Sequence, residues 1–444
     1  MSGLPHREPL LRVGLLERAE RAALELLGGP FRDEEGRSWE GRLLLRPAGR
    51  EGILAEDRRG NPIHRLREAV LRPSDPEKDL FLLRDLPIGI GFHWQQGRDQ
   101  AFRGELEIRP HPEGGLLLVN RIPMEDYLES VLSSEMNPDS PFQFLLAHAV
   151  TSRSWLVAQL ERARLPEPPP PPGGIVWRDR SDHELFHVCA DDHCQRYQGV
   201  PRRGREAAAR AVRETRGIFL VSQGRVCDAR FSKACGGRTE LFSTAWEERE
   251  EPCLASVRCW EEEDRGPLGN EAEARLWILG RPPAFCADPP EEIRRAVLPD
   301  FDQATRDFYR WRVAYDREEL EGLLEEKGGL RPGRLLDLVP LKRGPSGRIE
   351  LLRIVGSERE FVLGKELEIR RLLSPTHLYS SAFVARPDPA GADPPEGFVL
   401  EGAGWGHGVG LCQIGAAVMA WKGKDHREIL SRYFPGARLE KLYA

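Results

Sequence analysis

Between residues 10 and 120, apolar and polar positions alternate in short runs. LLRVGLL, GRLLLRP, GELEIRP and GLLLVNRIP are each bounded by Gly, Pro, Asp or Asn. Period-2 patterning between turn residues predicts short β-strands at regular spacing, and so a small all-β barrel or sandwich. The period changes at Pro123. In PMEDYLESVL, Tyr127, Leu128, Val131 and Leu132 fall on one helical face. A second helix is expected after Asn137-Pro138-Asp139-Ser140, with Ser140 or Asp139 as N-cap and Pro141 at the first helical position. Leu145, Ala149, Leu156 and Leu160 mark its buried face, which runs to about Arg164.

Residues 166–174 (PEPPPPPGG) suit neither helix nor central strand and read as a polyproline linker or surface excursion. Residues 175–254 are mixed, with strand-like GIFLVS and RVCDARFS, and residues 261–310 are charged and Pro-rich, as in a surface insertion. Strands return after Trp311 in DLVPLKR, IELLRIVG, REFVLG, SAFVAR and FVLEG; Val409–Leu430 is helical in character behind a Gly-rich loop. The expected fold is α+β: β-rich barrel- or sandwich-like elements with a few helices flanking a central cleft. Four parts follow from these shifts: a β-rich 1–120, helices with a His/Cys cluster in 121–260, the insertion 261–310, and a β-rich 311–444.

Composition narrows the classes. The chain has 444 residues, 40% hydrophobic and 31% charged, which is too apolar for disorder and ample for a large core. A formal charge of −6 argues against a nucleic-acid coat. No run approaches the ~20 apolar residues of a membrane span. Met1–Leu16 lacks the basic and apolar regions of a signal peptide. The eight cysteines do not make a disulfide scaffold, and pairing of Cys227 with Cys235, or of Cys253 with Cys259, stays open.

Four constellations carry candidate chemistry. Ser133-Ser134-Glu135-Met136 lies at the junction of the two helices, where a carboxylate held toward a cleft can act as general acid and then base. Taken alone, such a glutamate is more often an ordinary solvated one. In Gly402–Gly415, six of 14 residues are glycine, around Trp405, His407, Cys412 and Gln413. Glycines allow close backbone approach, Trp405 offers a plate for a sugar ring, and His407 handles protons or hydrogen bonds. A tight turn with a packed Trp is the plainer alternative, and no P-loop Lys-Ser/Thr follows. His183, Cys189 and Cys194, with His187 and His193 as spare donors, suit a tetrahedral metal. A Cys189–Cys194 disulfide among surface histidines is the alternative. Last, Ser232, Lys233, Gly236 and Gly237 form a turn able to present side chains and amides to a ligand, Lys233 and Arg238 suiting an anionic one.

NRIPMEDYLESVLSSEM at 120–136, AHAVTSRSW at 147–155 and GWGHGVGLCQIGA near the C-terminus together resemble the stage II sporulation protein D family, the SpoIID/LytB domain. The resemblance extends from about Leu11 to Tyr433. It implies a cell-wall enzyme, a lytic transglycosylase acting on peptidoglycan glycan strands stripped of stem peptides, with Glu135 as the catalytic acid/base. It also implies a zinc, structural in role, on His183, Cys189 and Cys194. Ser134, Met136, Arg153, Ser232, Lys233, Gly236, Gly237, Trp405, His407 and Gln413 are the expected substrate contacts. Departures from the family pattern are His148 and Trp155 in the second helix, and Cys412 and Ile414 beside Gln413.

Other family members are described as enhancers of wall amidases, so glycan binding on behalf of a partner amidase is the second reading. A zinc hydrolase is the weakest, since no HExxH helix accompanies the cluster. By family the protein is expected outside the cytoplasm, at the cell wall, with no nucleic-acid partner and no membrane span.

Overall fold

The computed structural model describes the whole chain except residues 1–3, 50–51, 91–94, 138, 166–168, 170–174, 178–182, 192, 201–204, 263–265, 299–301 and 304–306. The expected linker at 166–174 therefore lies, Pro169 apart, outside the described residues. Ten strands come first among them: β1 (Leu10–Ala19), β2 (Ala22–Arg32), β3 (Ser38–Pro47), β4 (Ile53–Glu56), β5 (Pro62–Leu66), β6 (Ala69–Pro73), β7 (Leu80–Ile88), β8 (Gln96–Phe102), β9 (Glu105–Pro110) and β10 (Leu116–Pro123). Helices α1 (Met124–Glu135) and α2 (Phe142–Arg162) follow, then β11 (Val188–Cys189), α3 (Arg205–Glu214), β12 (Ile218–Ser222), β13 (Arg225–Val226), β14 (Phe231–Ser232) and α4 (Phe242–Ala245). Next are α5 (Glu271–Leu279), α6 (Glu291–Val297), β15 (Arg310–Asp316), α7 (Arg317–Gly328), β16 (Leu335–Arg343), β17 (Ile349–Gly356), β18 (Glu360–Leu363) and α8 (Glu366–Leu372). The chain ends with β19 (Phe383–Asp388), β20 (Gly397–Ala403), β21 (Leu411–Cys412), α9 (Gln413–Trp421), α10 (His426–Tyr433) and β22 (Arg438–Lys441). The fold is α+β, as the alternation of periods predicts.

The large N-terminal sheet runs β11-β1-β10-β9-β6-β2-β3-β4-β5, and β7 joins β2 to β8. β2 changes partner along its length, pairing with β7 at Leu24–Leu27 and with β6 at Phe31 and Arg32. Gly28 makes the change possible: its φ is +92°, and a Cβ there would sit 2.5 Å from an Asp79 carboxylate oxygen. That oxygen accepts the Gly29 N–H at 2.6 Å.

α1 starts directly off β10, with Glu125 and Asp126 in its first turn, where acidic side chains favour the helix dipole. The start of α2 differs from expectation. Pro141, not Ser140 or Asp139, takes the N-cap position, and its carbonyl accepts from Phe144. The Ser140 hydroxyl instead donates to the carbonyls of Asn137 and Ala296. α2 is buried on nearly all sides rather than on the one face its apolar residues mark, because α1, α3, α9, α10 and β12 surround it.

Two cores result. The larger joins the N-terminal sheet to α1, α2, α3, α9 and α10; the smaller lies among α7, α8 and strands β15–β20, with Trp311, Leu324, Leu352, Ile369 and Phe398 inside. Residues 261–310, for all their charge, send Phe285, Cys286, Ile293, Val297 and Phe308 into the larger core.

Candidate functional site

Glu135 is the last residue of α1 and is only 9% exposed. Its Oε1 accepts the Arg196 backbone N–H at 2.9 Å, and no donor among the described residues reaches Oε2. One residue earlier, the Ser134 hydroxyl accepts the Gln198 N–H at 3.2 Å. The extended segment 194–198 thus fastens the end of α1. Between those two contacts Tyr197 stacks on Tyr127, with ring centroids 4.9 Å apart, and donates to Asn120 at 2.5 Å.

The same segment begins in the His/Cys cluster. His183, Cys189, His193 and Cys194 place their donor atoms within 4.8 Å of one another. His183 Nε2 and His193 Nδ1 lie 3.3 and 3.4 Å from Cys194 Sγ and 3.1 Å from each other. Hydrogen bonding from Cys194, His183 and His193 outweighs burial and pulls the Cys189 thiol down to about 2, in thiolate character. The sheet positions this thiolate, since β11 pairs in parallel with β1, Gly14 opposite Cys189. Of the two spare donors the sequence offers, His193 joins His183, Cys189 and Cys194. His187 is occupied elsewhere, its Nδ1 accepting the Arg12 N–H at 3.1 Å. Two thiolates and two imidazoles fit a tetrahedral ion, and the buried His183 Nδ1 has no partner. None of the eight cysteines is in a disulfide in this structure, Cys227, Cys235, Cys253 and Cys259 included.

On the other side of Glu135 stands Lys233. Its ammonium contacts the Glu135 carbonyl at 3.4 Å and Met136 Sδ at 3.6 Å, and pairs with Asp302 at 2.8 Å. Arg196 also approaches Asp302, at 3.7 Å. The carboxylate of Asp302 is 1% exposed and neutralises two cations that flank the end of α1. Lys233 is therefore a neutralised buried cation rather than an open anion receptor.

The Gly-rich loop locks onto the Lys233 turn. Ala234 and Trp405 exchange both backbone hydrogen bonds, at 3.0 and 2.7 Å, and β14 pairs in parallel with β21. Glu135, Lys233 and Trp405 are thereby brought to one seam, across about 270 residues of sequence. Trp405 is half-buried, stacked on Phe308 at 5.8 Å and edge-on to Tyr379 at 5.4 Å. Beneath the loop lies Arg348, fully buried, which donates to the carbonyls of Gly406 and Cys235 and to Ser346 Oγ. A Cβ on Gly408 would fall 2.3 Å from its Cζ. Gly404 and Gly408 leave room for this buried guanidinium, while Gly402, Gly406, Gly410 and Gly415 sit against Trp311, Ser232, Arg230 and Tyr433. Gly236 and Gly237 are held in the same way, the Gly236 carbonyl accepting from Trp277 and Arg310.

Two expected substrate contacts, Arg153 and Gln413, are enclosed by protein partners, and a third, His407, is half-buried. Arg153 is fully enclosed and forms a bidentate pair with Glu125, at 3.0 and 2.6 Å, which Tyr443 also joins. The Gln413 amide is buried against His148 at 3.0 Å. His407 accepts the Val409 N–H on Nδ1, and desolvation with nearby Arg230 and Arg348 pushes it down to about 3, so it is neutral at pH 7. Ser232 is buried and its hydroxyl lacks a partner. Sequence reasoning missed Arg196, Asp302 and Arg348. No local signal distinguishes them from other charged residues, because their importance lies in partners far along the chain. A separate cleft of about 1290 Å³ opens beside the His/Cys cluster, lined by Glu8, Trp155, Gln159, His183 and Cys194; Glu135 does not line it.

This arrangement defines an α+β protein in which a candidate metal centre and a glycine loop flank a helix-end carboxylate. Residues 112–221 match the Stage II sporulation protein family, SpoIID. A cell-wall-related function is consistent with it. The matched span is narrower than the resemblance read from the motifs. Residues 240–410 match a second family, described as a domain of unknown function, DUF8618. The chain is 25% identical over 355 residues to an uncharacterized protein of Brachyspira hyodysenteriae, covering 78% of this chain and 75% of that protein.

Proposed function

We propose that this protein is a peptidoglycan lytic transglycosylase in which Glu135 is the single acid/base. The observation that carries the reading is the setting of Glu135: one oxygen is fixed by the Arg196 amide, no donor among the described residues reaches the other, and Lys233, next to the Ala234–Trp405 pairing, adjoins it. The protonated carboxyl donates to the oxygen linking N-acetylmuramic acid to N-acetylglucosamine as that bond breaks. The resulting carboxylate then takes the proton of the muramoyl C6 hydroxyl, whose oxygen bonds to C1. The product is a 1,6-anhydro end. The attack is intramolecular, so neither water nor the second carboxylate of ordinary glycosidases is required. Trp405 offers ring face to a sugar, and Ser134 and Met136 hold the end of α1 in place.

Zinc fits the His183, Cys189, His193 and Cys194 set, and a closed four-ligand site of this kind is structural. It would brace segment 194–198, and through the Arg196 amide the carboxylate itself.

The low exposure of Glu135 favours a second reading, a glycan-binding enhancer of a wall amidase. Peptide-stripped glycan strands incubated with wild type and Glu135→Gln, then read by mass spectrometry, separate the two. Anhydromuramoyl ends from wild type alone, with at least about a hundredfold loss in the variant, are expected. Reducing ends would mean hydrolysis and sink the proposed mechanism. Binding without cleavage by either protein would leave the enhancer.

A further inference from the structure

Beyond the His/Cys cluster, Cys235, Cys259, Cys286 and Cys412 bring their sulfurs within 4.8 Å of one another, all fully buried. They come from four separate places: the turn after β14, the bridge strand paired across Arg238 and Arg258, the loop between α5 and α6, and β21 at the start of α9. Cys235 and Cys286 Sγ are 3.8 Å apart. Zinc–thiolate bonds of about 2.3 Å in a tetrahedron require sulfurs about 3.8 Å apart, so the spacing is that of one ion rather than of disulfides. An iron–sulfur cluster, with several atoms between its thiolates, needs a wider cage.

The surroundings are those of bound thiolates. The Cys235 N–H points at Cys412 Sγ at 3.3 Å and the Gly237 N–H at Cys235 Sγ at 3.4 Å, while the Tyr433 hydroxyl lies 3.1 Å from Cys259 Sγ. Such donors steady a metal-bound sulfur and lower its charge. Four cysteines that meet from distant segments at this spacing suit one divalent ion that coordinates all four.

We propose that these cysteines form a second, structural zinc site, which ties the Lys233 turn and the Gly-rich loop to residues 259–286. Its position has a consequence for the Glu135 seam. One side would be braced by the His/Cys cluster through Arg196, the other by the four-cysteine site through Lys233 and Trp405.

The test is metal analysis of the full chain, purified without chelator, for wild type and for Cys189→Ser/Cys194→Ser, which disables the other cluster. The expected result is one zinc per chain retained in the double variant, and lost when Cys286→Ser is added. Zinc-edge X-ray absorption on wild type serves should either variant fail to fold: a four-sulfur component must accompany any mixed nitrogen–sulfur one. Absence of zinc from a folded double variant, iron in its place, or a wild-type spectrum with only two sulfurs per zinc would overturn the proposal. Because the readout is metal content, it stands or falls independently of glycan cleavage.

Discussion

Arg153 shows how one side chain can be mistaken for a ligand contact. Its guanidinium is enclosed with Glu125, and removing one partner of a buried pair leaves the other charge without compensation. Arg153→Met is expected to cost about 3–5 kcal/mol in urea unfolding, with glycan binding by the folded fraction unchanged. A selective loss of binding at constant stability would restore it to the substrate surface. His148 makes a different prediction. It replaces the family's usual Gln, and its ring receives the Gln413 amide on Nε2 while Nδ1 meets Ser152. Desolvation, aided by Lys233, pushes it down to about 3. The folded imidazole is thus neutral, and the unfolded one binds a proton below about pH 6.5, so stability present above that pH is lost as pH falls toward 3. Between pH 7 and 5.5 wild type should lose about 1 kcal/mol relative to His148→Gln. Parallel denaturation curves at the two pH values would refute this.

The glycine loop and β17 form a joint at the element scale. Arg348 and Gly408 fit together because the loop backbone passes where a side chain would be, at φ +77°. Gly408→Ala combines left-handed strain with overpacking and should cost about 3 kcal/mol in thermal or chemical unfolding. In a double-mutant cycle with Arg348→Ala the two effects should couple by more than about 1 kcal/mol, as for residues in contact. Glu240 secures the same joint from the other side, its buried carboxylate accepting from Ser346, Thr244 and the Leu241 amide. Most strands and helices here were legible, since a short apolar run bounded by turn residues, as in GLLLVNRIP or IELLRIVG, is a property of a few consecutive residues. The N-cap of α2 was not, because Ser140 is claimed by the Ala296 carbonyl, more than 150 residues away.

Across the whole molecule, Asp302 connects the charged stretch 261–310 to the seam beside Glu135. It compensates Lys233 and lies near Arg196, two cations with little solvent around them. Asp302→Asn should therefore cost about 3–5 kcal/mol by denaturation and weaken glycan cleavage on the remaining folded protein. Unchanged stability would show that the ion pair is not maintained in solution.

By itself the sequence determined the α+β class, the order of most elements, the motifs that resemble the SpoIID domain, and the grouping of histidines and cysteines between 183 and 194. These are short-range properties: strand and helix periods span a few residues, and the cluster's donors lie within a dozen. Only tertiary structure decided that Arg153 and Gln413 are enclosed, that Asp302 lies beside Lys233, and that Cys235, Cys259, Cys286 and Cys412 meet. The reason is physical. Each of those roles depends on burial and on a partner from a distant segment, and neither quantity is a function of the neighbouring residues along the chain.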